Sequence, residues 1–201
     1  MAAKIKTVGV VGAGQMGAGI AHVSALAGYE VKLNDLGQEQ IEDGIATING
    51  NLARQANSGK ITDEAMRTAQ KRLHAAPKMS DLADCDIVIE AATENEAIKR
   101  KIFDSLCENL NPQAIIATNT SSISITRLAA ATDRPEQFMG IHFMNPVPVM
   151  QLVELVRGIA TNEDTFKLSK AYVDSLGKTV TVSEDFPAFI VNRILLPMIN
   201  E

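Results

Sequence analysis

The residues near the start of the chain that are best suited to chemistry are three glycines in the pattern G-x-G-x-x-G, from Gly12 to Gly17. The pattern directly follows an apolar, β-branched run, Thr7–Val11, which is typical of a buried strand. In this context the first glycine permits a tight turn, the second lets the backbone approach a pyrophosphate, and the third lets a helix pack against the strand. The helix that begins at the turn offers free N–H groups to phosphates. The predicted cofactor-binding residues of this loop are Gly12, Gly14, Gln15, Met16 and Gly17.

An acidic residue, Asp35, comes directly after the next predicted strand, Glu30–Asn34. A carboxylate in this place accepts hydrogen bonds from the ribose hydroxyls of adenosine and repels a 2′-phosphate. No arginine accompanies it, because Leu36, Gly37 and Gln38 come next. The pattern therefore predicts NAD, rather than NADP, as the cofactor. A glycine-rich turn without a ligand is the alternative, and the strand–turn–helix–strand context argues against it.

A second group of polar residues lies in three later segments of the chain. They are Asn119-Thr120-Ser121-Ser122, the run His142-Phe143-Met144-Asn145-Pro146-Val147-Pro148 with Glu154 after it, and Asn192-Arg193. In this set the sequence resembles the L-3-hydroxyacyl-CoA dehydrogenase family, whose usual signature is H-F-F-N-P-V-P with a Glu twelve residues after the His. Within that family it looks most like the bacterial 3-hydroxybutyryl-CoA dehydrogenases. Met144 replaces the second Phe, an apolar change that keeps the pattern.

The resemblance implies NAD-dependent oxidation of a short-chain 3-hydroxyacyl-CoA to the 3-ketoacyl-CoA. This reaction needs a base for the alcohol proton, and His142 suits the role because imidazole titrates near neutral pH. Glu154 would pair with the other ring nitrogen, orient the imidazole and stabilise its charged form. In the direction of reduction His142 acts as the acid. Oxidation would belong to β-oxidation or aromatic degradation, and reduction to butyrate or polyester-precursor synthesis.

The resemblance also assigns residues that contact the substrate. Ser121 and Asn192 would hydrogen-bond its 3-oxygen or thioester oxygen, and Asn145, close to the histidine, is expected to touch the same oxygens. Ser121 lies in a Thr-Ser-Ser cluster, so turn or cap chemistry is the alternative for this residue. The phosphates of CoA should meet basic side chains. Arg54 and Lys60 are available for that contact, but neither is assigned to the site.

Three further residues are assigned to the cofactor. Glu94 and Lys99 match positions at which the family contacts the nicotinamide-side groups, and Asn119 opens the segment that contains Ser121. A solvent-exposed charge pair at the start of a helix is the alternative interpretation of Glu94 and Lys99.

Two other functions remain open from the sequence: a dinucleotide-binding protein without catalysis, and an NAD-binding relative that oxidises a different hydroxy acid. A protein that only binds would have no need of a histidine–glutamate pair. A dehydrogenase of the phosphogluconate type would use a lysine base and would lack the Asn-Pro-Val-Pro run. The presence of all five predicted catalytic and substrate-binding residues favours the hydroxyacyl-CoA reaction.

The elements that must position these residues alternate along the chain. Helical spacing follows the glycine loop as far as Gly28, and a polar pair of helices spans Gln38 to Leu73. The expected inner face of a later helix is Ile98, Ile102 and Leu106. Further predicted strands are Ile87–Glu90, Ala114–Thr118, Phe138–Phe143, Leu152–Val156 and Thr179–Val182, with helices beginning near Ser124 and spanning Glu163–Leu176. This alternation predicts an α/β fold of the Rossmann type, a doubly wound and mostly parallel sheet with helices on both faces.

The end of the sequence predicts a separate element. After Asp185-Phe186-Pro187 the run AFIVNRILLPMINE is an apolar helix that needs a partner to pack on. We therefore expect residues 1–184 to form the NAD-binding domain and residues 185–201 to begin a truncated all-α C-terminal domain. The resemblance implies a homodimer formed through that domain, and a glycine in the hinge where this chain has Ala188.

Composition limits the partners and the compartment. The 201 residues carry 19 Lys and Arg against 24 Asp and Glu, a formal net charge of −5, which argues against nucleic acid or an anionic membrane as a partner. No apolar run approaches the roughly 20 residues that span a membrane, and MAAKIK is too short for a signal peptide. Cys85 and Cys107 cannot form a disulfide framework or a four-ligand zinc site, so no metal is assigned. We expect a cytoplasmic enzyme whose partner is an acyl-CoA.

Overall fold

Eight short strands and seven α-helices make up the part of the chain, residues 5–201, that the structure, a computed structural model, describes. The strands are β1 (Thr7–Val11), β2 (Glu30–Asn34), β3 (Leu73–Ala75), β4 (Ile87–Glu90), β5 (Ile115–Thr118), β6 (Phe138–Phe143), β7 (Leu152–Arg157) and β8 (Thr179–Glu184). The helices are α1 (Gln15–Leu26), α2 (Gln38–Asn57), α3 (Asp63–Lys71), α4 (Glu96–Asn109), α5 (Ile125–Ala129), α6 (Glu163–Ser175) and α7 (Val191–Asn200).

The strands form one sheet in the order β3-β2-β1-β4-β5-β6-β7-β8. Every neighbouring pair is parallel except β6 and β7, which are antiparallel. The order of the first six strands is that of the doubly wound dinucleotide-binding fold, in which ligands bind beyond the carboxyl ends of the strands where the chain reverses its direction across the sheet. The predicted mostly parallel α/β fold is confirmed.

Alternate side chains of the central strands enter two apolar clusters, one on each face of the sheet. Val8 and Val10 of β1 belong to the first cluster, whereas Val11 belongs to the second. In β4, likewise, Ile87 points to the first cluster and Val88 to the second. Because both faces are covered, these strands read as continuous runs of Val and Ile rather than as an alternation of apolar and polar residues.

Two details of the sequence-based prediction are wrong. The first is the end of the polar helical pair, because Leu73–Ala75 forms the edge strand β3 beside β2. This strand is too short and too exposed to leave an apolar pattern in the sequence. The second is the inner face of α4, because Ile98 is 48% exposed while Lys99, Phe103 and Leu106 are buried. The prediction took only apolar residues as inward-facing, so it could not identify the buried Lys99.

The last helix, α7, lies outside both clusters, and none of its residues is buried. Its apolar side chains are largely exposed: Ile194, Leu195, Leu196, Met198 and Ile199. The strand before it, β8, ends at Glu184, so the linker to α7 begins at Asp185. Within residues 5–201 no helix combines the length and the apolar character needed to cross a membrane.

Candidate active site

The glycine loop joins β1 to α1 with no room for side chains at two of its positions. Gly12 has a φ of +103°, and a Cβ built on it would lie 2.6 Å from the Cα atom of Ala92. A Cβ on Gly17 would lie only 1.7 Å from the carbonyl oxygen of Gly12. The close approach of helix to strand therefore depends on both glycines, as the spacing of the motif predicts.

The second glycine of the motif, Gly14, faces open space. Gly14 is the residue that precedes α1; it is exposed, no side chain caps the helix, and a Cβ on it would meet nothing within 4 Å. The first turn of α1 also carries no acidic residue, so its N–H groups and the positive end of the helix dipole are not neutralised locally. Beside them Gln15 is exposed and Met16 is half-buried. This arrangement fits the pyrophosphate of a dinucleotide.

Asp35 lies beside the glycine loop at the end of β2. Its Oδ2 accepts a hydrogen bond from the N–H of Ala13 at 2.6 Å, and its Oδ1 accepts one from the N–H of Leu36 at 2.7 Å. Each carboxylate oxygen keeps a further lone pair for a ligand. Asp35 also lines a cleft of about 230 Å³, together with Gly12, Ala92 and other residues at this edge of the sheet.

The histidine and the glutamate of the second motif face each other across two antiparallel strands. His142 on β6 and Glu154 on β7 are direct partners in the register of the sheet. Nδ1 of His142 lies 2.7 Å from Oε2 of Glu154, and Nε2 lies 3.0 Å from the hydroxyl oxygen of Ser121. The structure thus brings three predicted catalytic residues into one chain of hydrogen bonds.

Glu154 is completely buried and uses both of its oxygens. While Oε2 contacts His142, Oε1 accepts hydrogen bonds from the N–H groups of Ile190 and Val191 at the start of α7, at 3.0 and 2.8 Å. Burial by itself would raise the pKa of Glu154, but these hydrogen bonds outweigh it and hold the pKa below its ordinary value. The carboxylate is therefore ionised at neutral pH.

The three predicted asparagines occupy different places around this pair. Asn192, at the start of α7, donates a hydrogen bond from Nδ2 to the carbonyl oxygen of Ser121 at 3.2 Å. Asn119 is nearly buried, and its Oδ1 accepts a hydrogen bond from the N–H of Phe143 at 2.8 Å. Asn145 is exposed in the loop after β6. Two of the three thus bind the backbone at or next to predicted catalytic residues, Ser121 and His142.

Glu94 holds the turn that carries Ser121. Its Oε1 accepts hydrogen bonds from the hydroxyl of Thr120 at 2.6 Å, from the N–H of Ser121 at 2.9 Å, and from the N–H and hydroxyl of Ser122 at 3.1 and 3.0 Å. Burial would raise the pKa of Glu94, but these donors and the charge of Lys99 hold it below its ordinary value. Ser121 therefore belongs to a hydrogen-bonded turn through its N–H and contacts the histidine through its hydroxyl.

Lys99 is buried, at 1% exposure, so the solvent-exposed interpretation is wrong for this residue. Its Nζ lies 2.5 Å from Oε2 of Glu90 and 3.9 Å from Oε2 of Glu94. Glu90 also accepts hydrogen bonds from the hydroxyl of Thr118 and the N–H of Ala92. Sequence reasoning missed Glu90, although a carboxylate at the end of a fully apolar strand was a usable signal, because a buried charge needs a partner.

Asp185 is another residue that sequence reasoning did not assign to the site. Its carboxylate accepts hydrogen bonds from the hydroxyl of Ser124 and from the N–H groups of Ile125 and Thr126, all within 2.8 Å. These contacts cap the N-terminus of α5 and fasten the linker to the segment that follows Ser121. No signal in the sequence identifies this partner, because the two segments are about 60 residues apart.

Comparison with known proteins gives consistent matches over nearly the whole chain. The family model of the 3-hydroxyacyl-CoA dehydrogenase NAD-binding domain matches residues 7–186. A 3-hydroxybutyryl-CoA dehydrogenase of Bradyrhizobium diazoefficiens is 68% identical over 201 residues, which are 100% of this chain and 69% of that protein. One from Mycobacterium tuberculosis is 43% identical over 199 residues, 98% of this chain and 70% of that protein. The crystal structure of (S)-3-hydroxybutyryl-CoA dehydrogenase from Ralstonia eutropha matches with a TM-score of 0.96 at 46% identity, covering 98% of this chain and 70% of that one.

Proposed function

Because this chain belongs to the 3-hydroxyacyl-CoA dehydrogenase family, whose members use NAD, we propose that it interconverts (S)-3-hydroxybutyryl-CoA and acetoacetyl-CoA. The observation that carries this proposal is the chain of hydrogen bonds from Ser121 through His142 to the buried Glu154. A protein that only bound a dinucleotide would not need it. The names of the relatives support the short-chain substrate.

In the proposed mechanism His142 moves the proton. When bound, NAD supplies the acceptor for the hydride that leaves C3 of the alcohol. Nε2 of His142 takes the hydroxyl proton, while Nδ1 keeps its own proton because the ionised Glu154 accepts a hydrogen bond there. The positive charge that develops on the ring lies 2.7 Å from a buried carboxylate, which stabilises it. In reduction His142 returns the proton to the 3-oxygen.

Ser121, Asn192 and Asn145 are proposed to bind the oxygens of the substrate. The hydroxyl of Ser121 is already within hydrogen-bond distance of the histidine nitrogen that handles the proton, so a 3-oxygen placed there can contact both. Asn192 would act from the start of α7, and Asn145 from the exposed loop after β6. These polar groups fix the orientation of C3 relative to the cofactor.

The cofactor is proposed to lie along the carboxyl edge of the parallel strands. The pyrophosphate would bind at Gly14, Gln15 and Met16, where the first turn of α1 is open, and the adenosine ribose at Asp35. Glu94, Lys99 and Asn119 are proposed for the nicotinamide side. The set assigned to NAD is thus Gly12, Gly14, Gln15, Met16, Gly17, Asp35, Glu94, Lys99 and Asn119.

The CoA moiety is proposed to occupy a cleft beside α2. This cleft, of about 320 Å³, has Arg54 and Lys60 on one side and Pro146, Pro148 and Val149 on the other. Two cations facing an apolar wall suit a phosphorylated nucleotide with a pantetheine arm. The cleft lies against the same loop that carries Asn145.

Assembly into a homodimer and location in the cytoplasm stay predictions. The dimer is proposed because the family resemblance places its contact in the helical domain that α7 begins. The exposed apolar side chains of α7, among them Leu195 and Met198, show that this helix needs a surface to pack on. Light scattering of the full-length protein tests the dimer. A monomer at micromolar concentration would contradict it.

The proposed reaction is tested by following NADH oxidation driven by acetoacetyl-CoA in the full-length protein. The variant His142→Gln should lose turnover by about 10²- to 10⁴-fold, the usual contribution of a general acid or base, while its Kd for NADH stays unchanged. The matched control is His74→Gln, in an exposed histidine that pairs with Glu30 on the edge of the sheet.

Turnover in the control and its loss in His142→Gln would support both the substrate and the proton carrier. An unmutated protein that binds NADH but leaves acetoacetyl-CoA untouched would instead favour a different hydroxy acid. Full turnover in His142→Gln would remove the histidine from the mechanism.

A further inference from the structure

The loop between β6 and β7, residues 144–151, connects the two strands that carry His142 and Glu154. It contains Asn145, and its prolines form the apolar wall of the cleft opposite Arg54 and Lys60. The position of this loop therefore determines both a predicted substrate contact and the width of the proposed CoA cleft.

One end of the loop is anchored by packing. The side chain of Val147 is buried against α1, where a Cβ added to Gly19 would approach the Cβ of Val147 to 2.8 Å. Inside the loop the N–H groups of Val149 and Met150 both donate to the carbonyl oxygen of Pro146. The carbonyl oxygens of Val147 and Met150 accept no main-chain N–H in this turn and are free for another donor.

That donor is Lys178. Its Nζ donates to the carbonyl oxygen of Val147 at 2.6 Å and to that of Met150 at 2.7 Å. One ammonium group thus joins both ends of the turn, and bonds from a charged donor are about twice as strong as bonds between neutral groups. Neither the glycine motif nor the histidine motif includes this residue.

The backbone fixes Lys178 where it can make these contacts. Gly177, with a φ of +70°, ends α6 immediately before it. Thr179, immediately after it, donates its N–H to the carbonyl oxygen of Gln151 at 2.8 Å and begins β8. The lysine is half-buried, on the border of a second cavity of about 380 Å³ that also contacts Pro148. Pro148 of the loop thus lines both clefts, while Lys178 lines only the second and Arg54 only the first.

We infer that Lys178 is a positioning residue for the acyl-CoA substrate, acting by holding residues 144–151 in place through its two main-chain hydrogen bonds. This inference rests on the proposed function, because it takes the cleft beside α2 to be the CoA site. Lys178 contacts neither the glycine loop nor the pair of His142 and Glu154, so its loss should affect acyl-CoA and not NADH.

The test compares Lys178→Met, which keeps the aliphatic stem but removes the donors, with Lys178→Arg, which keeps a cation able to reach two carbonyls. In the full-length enzyme Lys178→Met should raise the KM for acetoacetyl-CoA about tenfold, with the Kd for NADH within about twofold of the original value. Lys178→Arg should restore most of the loss. The matched control is Lys170→Met, in an exposed lysine of α6 that pairs with Asp174.

Hydrogen exchange of the backbone gives a readout that does not depend on turnover. In Lys178→Met, exchange should accelerate in residues 144–151 while the central strands stay protected. Should this variant not fold, Lys178→Gln keeps a polar head in the half-buried place and allows the same comparison.

An unchanged KM together with unchanged exchange in the loop would overturn the inference. Acceleration throughout the sheet, or an equal rise in KM in Lys178→Arg, would also overturn it. Either result shows general damage rather than the loss of the two main-chain hydrogen bonds of Lys178. If the unmutated enzyme does not use acetoacetyl-CoA, the proposed function fails and the substrate role of Lys178 fails with it. Faster exchange confined to residues 144–151 in Lys178→Met would still show that Lys178 holds this loop in place.

Discussion

The carboxylate of Glu154 is fixed in position because each of its two oxygens has its own hydrogen-bond partners. One oxygen contacts the ring of His142, and the other accepts two N–H groups from Ile190 and Val191. A buried carboxylate that was less completely hydrogen-bonded would be destabilised and would tend to protonate. The same contacts therefore keep the glutamate charged and keep the imidazole in one orientation, which the proposed proton transfer requires.

At the residue scale, Asp35 is expected to determine the choice of cofactor. The variant Asp35→Asn should bind NADH about tenfold more weakly and should discriminate less against NADPH, because the charge that repels a 2′-phosphate is gone. Its amide oxygen can still accept the N–H of Ala13, so the contact to the glycine loop should remain, while the one to the N–H of Leu36 is lost. Titration of both cofactors by fluorescence measures the two effects.

The matched control for this experiment is Asp43→Asn, in an exposed aspartate on α2. It makes the same change in net charge away from the loop, so NADH binding should not change. An equal loss of affinity in both variants would mean that the overall charge, and not the contact at Asp35, governs binding.

At the scale of elements, the turn between β1 and α1 shows why glycines of one motif are not equivalent. A Cβ at Gly14 enters open space, whereas a Cβ at Gly17 would overlap the carbonyl oxygen of Gly12. Gly14 is proposed to leave room for the cofactor, whereas Gly17 leaves room for the backbone of the protein itself. The two requirements can be separated by substitution.

The variant Gly14→Ala should change the free energy of unfolding by less than about 1 kcal/mol, because its backbone conformation is accessible to alanine. It should nevertheless weaken NADH binding about tenfold or more, since the methyl group occupies the space in front of the first turn. Gly17→Ala should cost about 1–3 kcal/mol of stability or more, because its methyl group forces α1 away from β1. Urea denaturation with and without NADH separates the two effects. Equal losses of stability in the two variants would contradict the prediction that the two glycines have different roles.

The linker between β8 and α7 is strained at two consecutive positions, Ala188 and Phe189, which have φ values of +66° and +52°. Ala188 has a φ of +66°, in the left-handed region where a non-glycine residue costs about 1–2 kcal/mol. Ala188→Gly should therefore stabilise the protein by up to about 1 kcal/mol after the greater flexibility of unfolded glycine is subtracted.

The same substitution inside a regular helix should have the opposite sign. Ala46→Gly, at an exposed position of α2, should destabilise by roughly 0.5–1 kcal/mol. Both variants can be compared by their urea midpoints. Destabilisation by Ala188→Gly would show that the linker does not hold the left-handed conformation.

At the scale of the whole molecule, Glu154 links the sheet to the last helix and so makes stability depend on pH. Because its pKa in the folded protein lies below the ordinary 4.5, the ionised form stabilises the fold fully above that pH. The contribution is lost as the pH falls below about 4.5 through the folded pKa. Glu154→Gln should be about 1–3 kcal/mol less stable than the original protein at pH 7, and the difference should shrink as the pH approaches 4 and below.

Urea unfolding at pH 7, 5 and 4 measures this difference. Glu108→Gln, in an exposed glutamate of α4, is the matched control and should differ little from the original protein at any of these pH values. A deficit in Glu154→Gln that stayed constant with pH would mean that ionisation of this carboxyl does not stabilise the fold.

Much of the architecture could be predicted because it depends on patterns of residues that are close together in the sequence. The runs of Val and Ile predicted the central strands, and the glycine spacing predicted the turn into α1, since both depend on residues close together in the chain. The prediction was wrong at Ile98 and incomplete at Leu73–Ala75, where burial is decided by distant neighbours. Lys99 faces inward only because Glu90, on another element, compensates its charge.

The sequence by itself determined the types of residue available for chemistry, the α/β class and the preference for NAD, because spacing and side-chain chemistry are local properties. The tertiary structure alone decided that Glu154 also holds the start of α7, that Asp185 caps α5, and that Lys178 reaches the loop after β6. These contacts join segments that are distant in sequence, and they form only when the order of strands places β8 beside β7 and β6. Lys178 precedes β8 and Asp185 follows it, so the two residues act at opposite edges of the sheet. The spacing of residues in the sequence does not predict such contacts, because they arise from the packing of the whole chain.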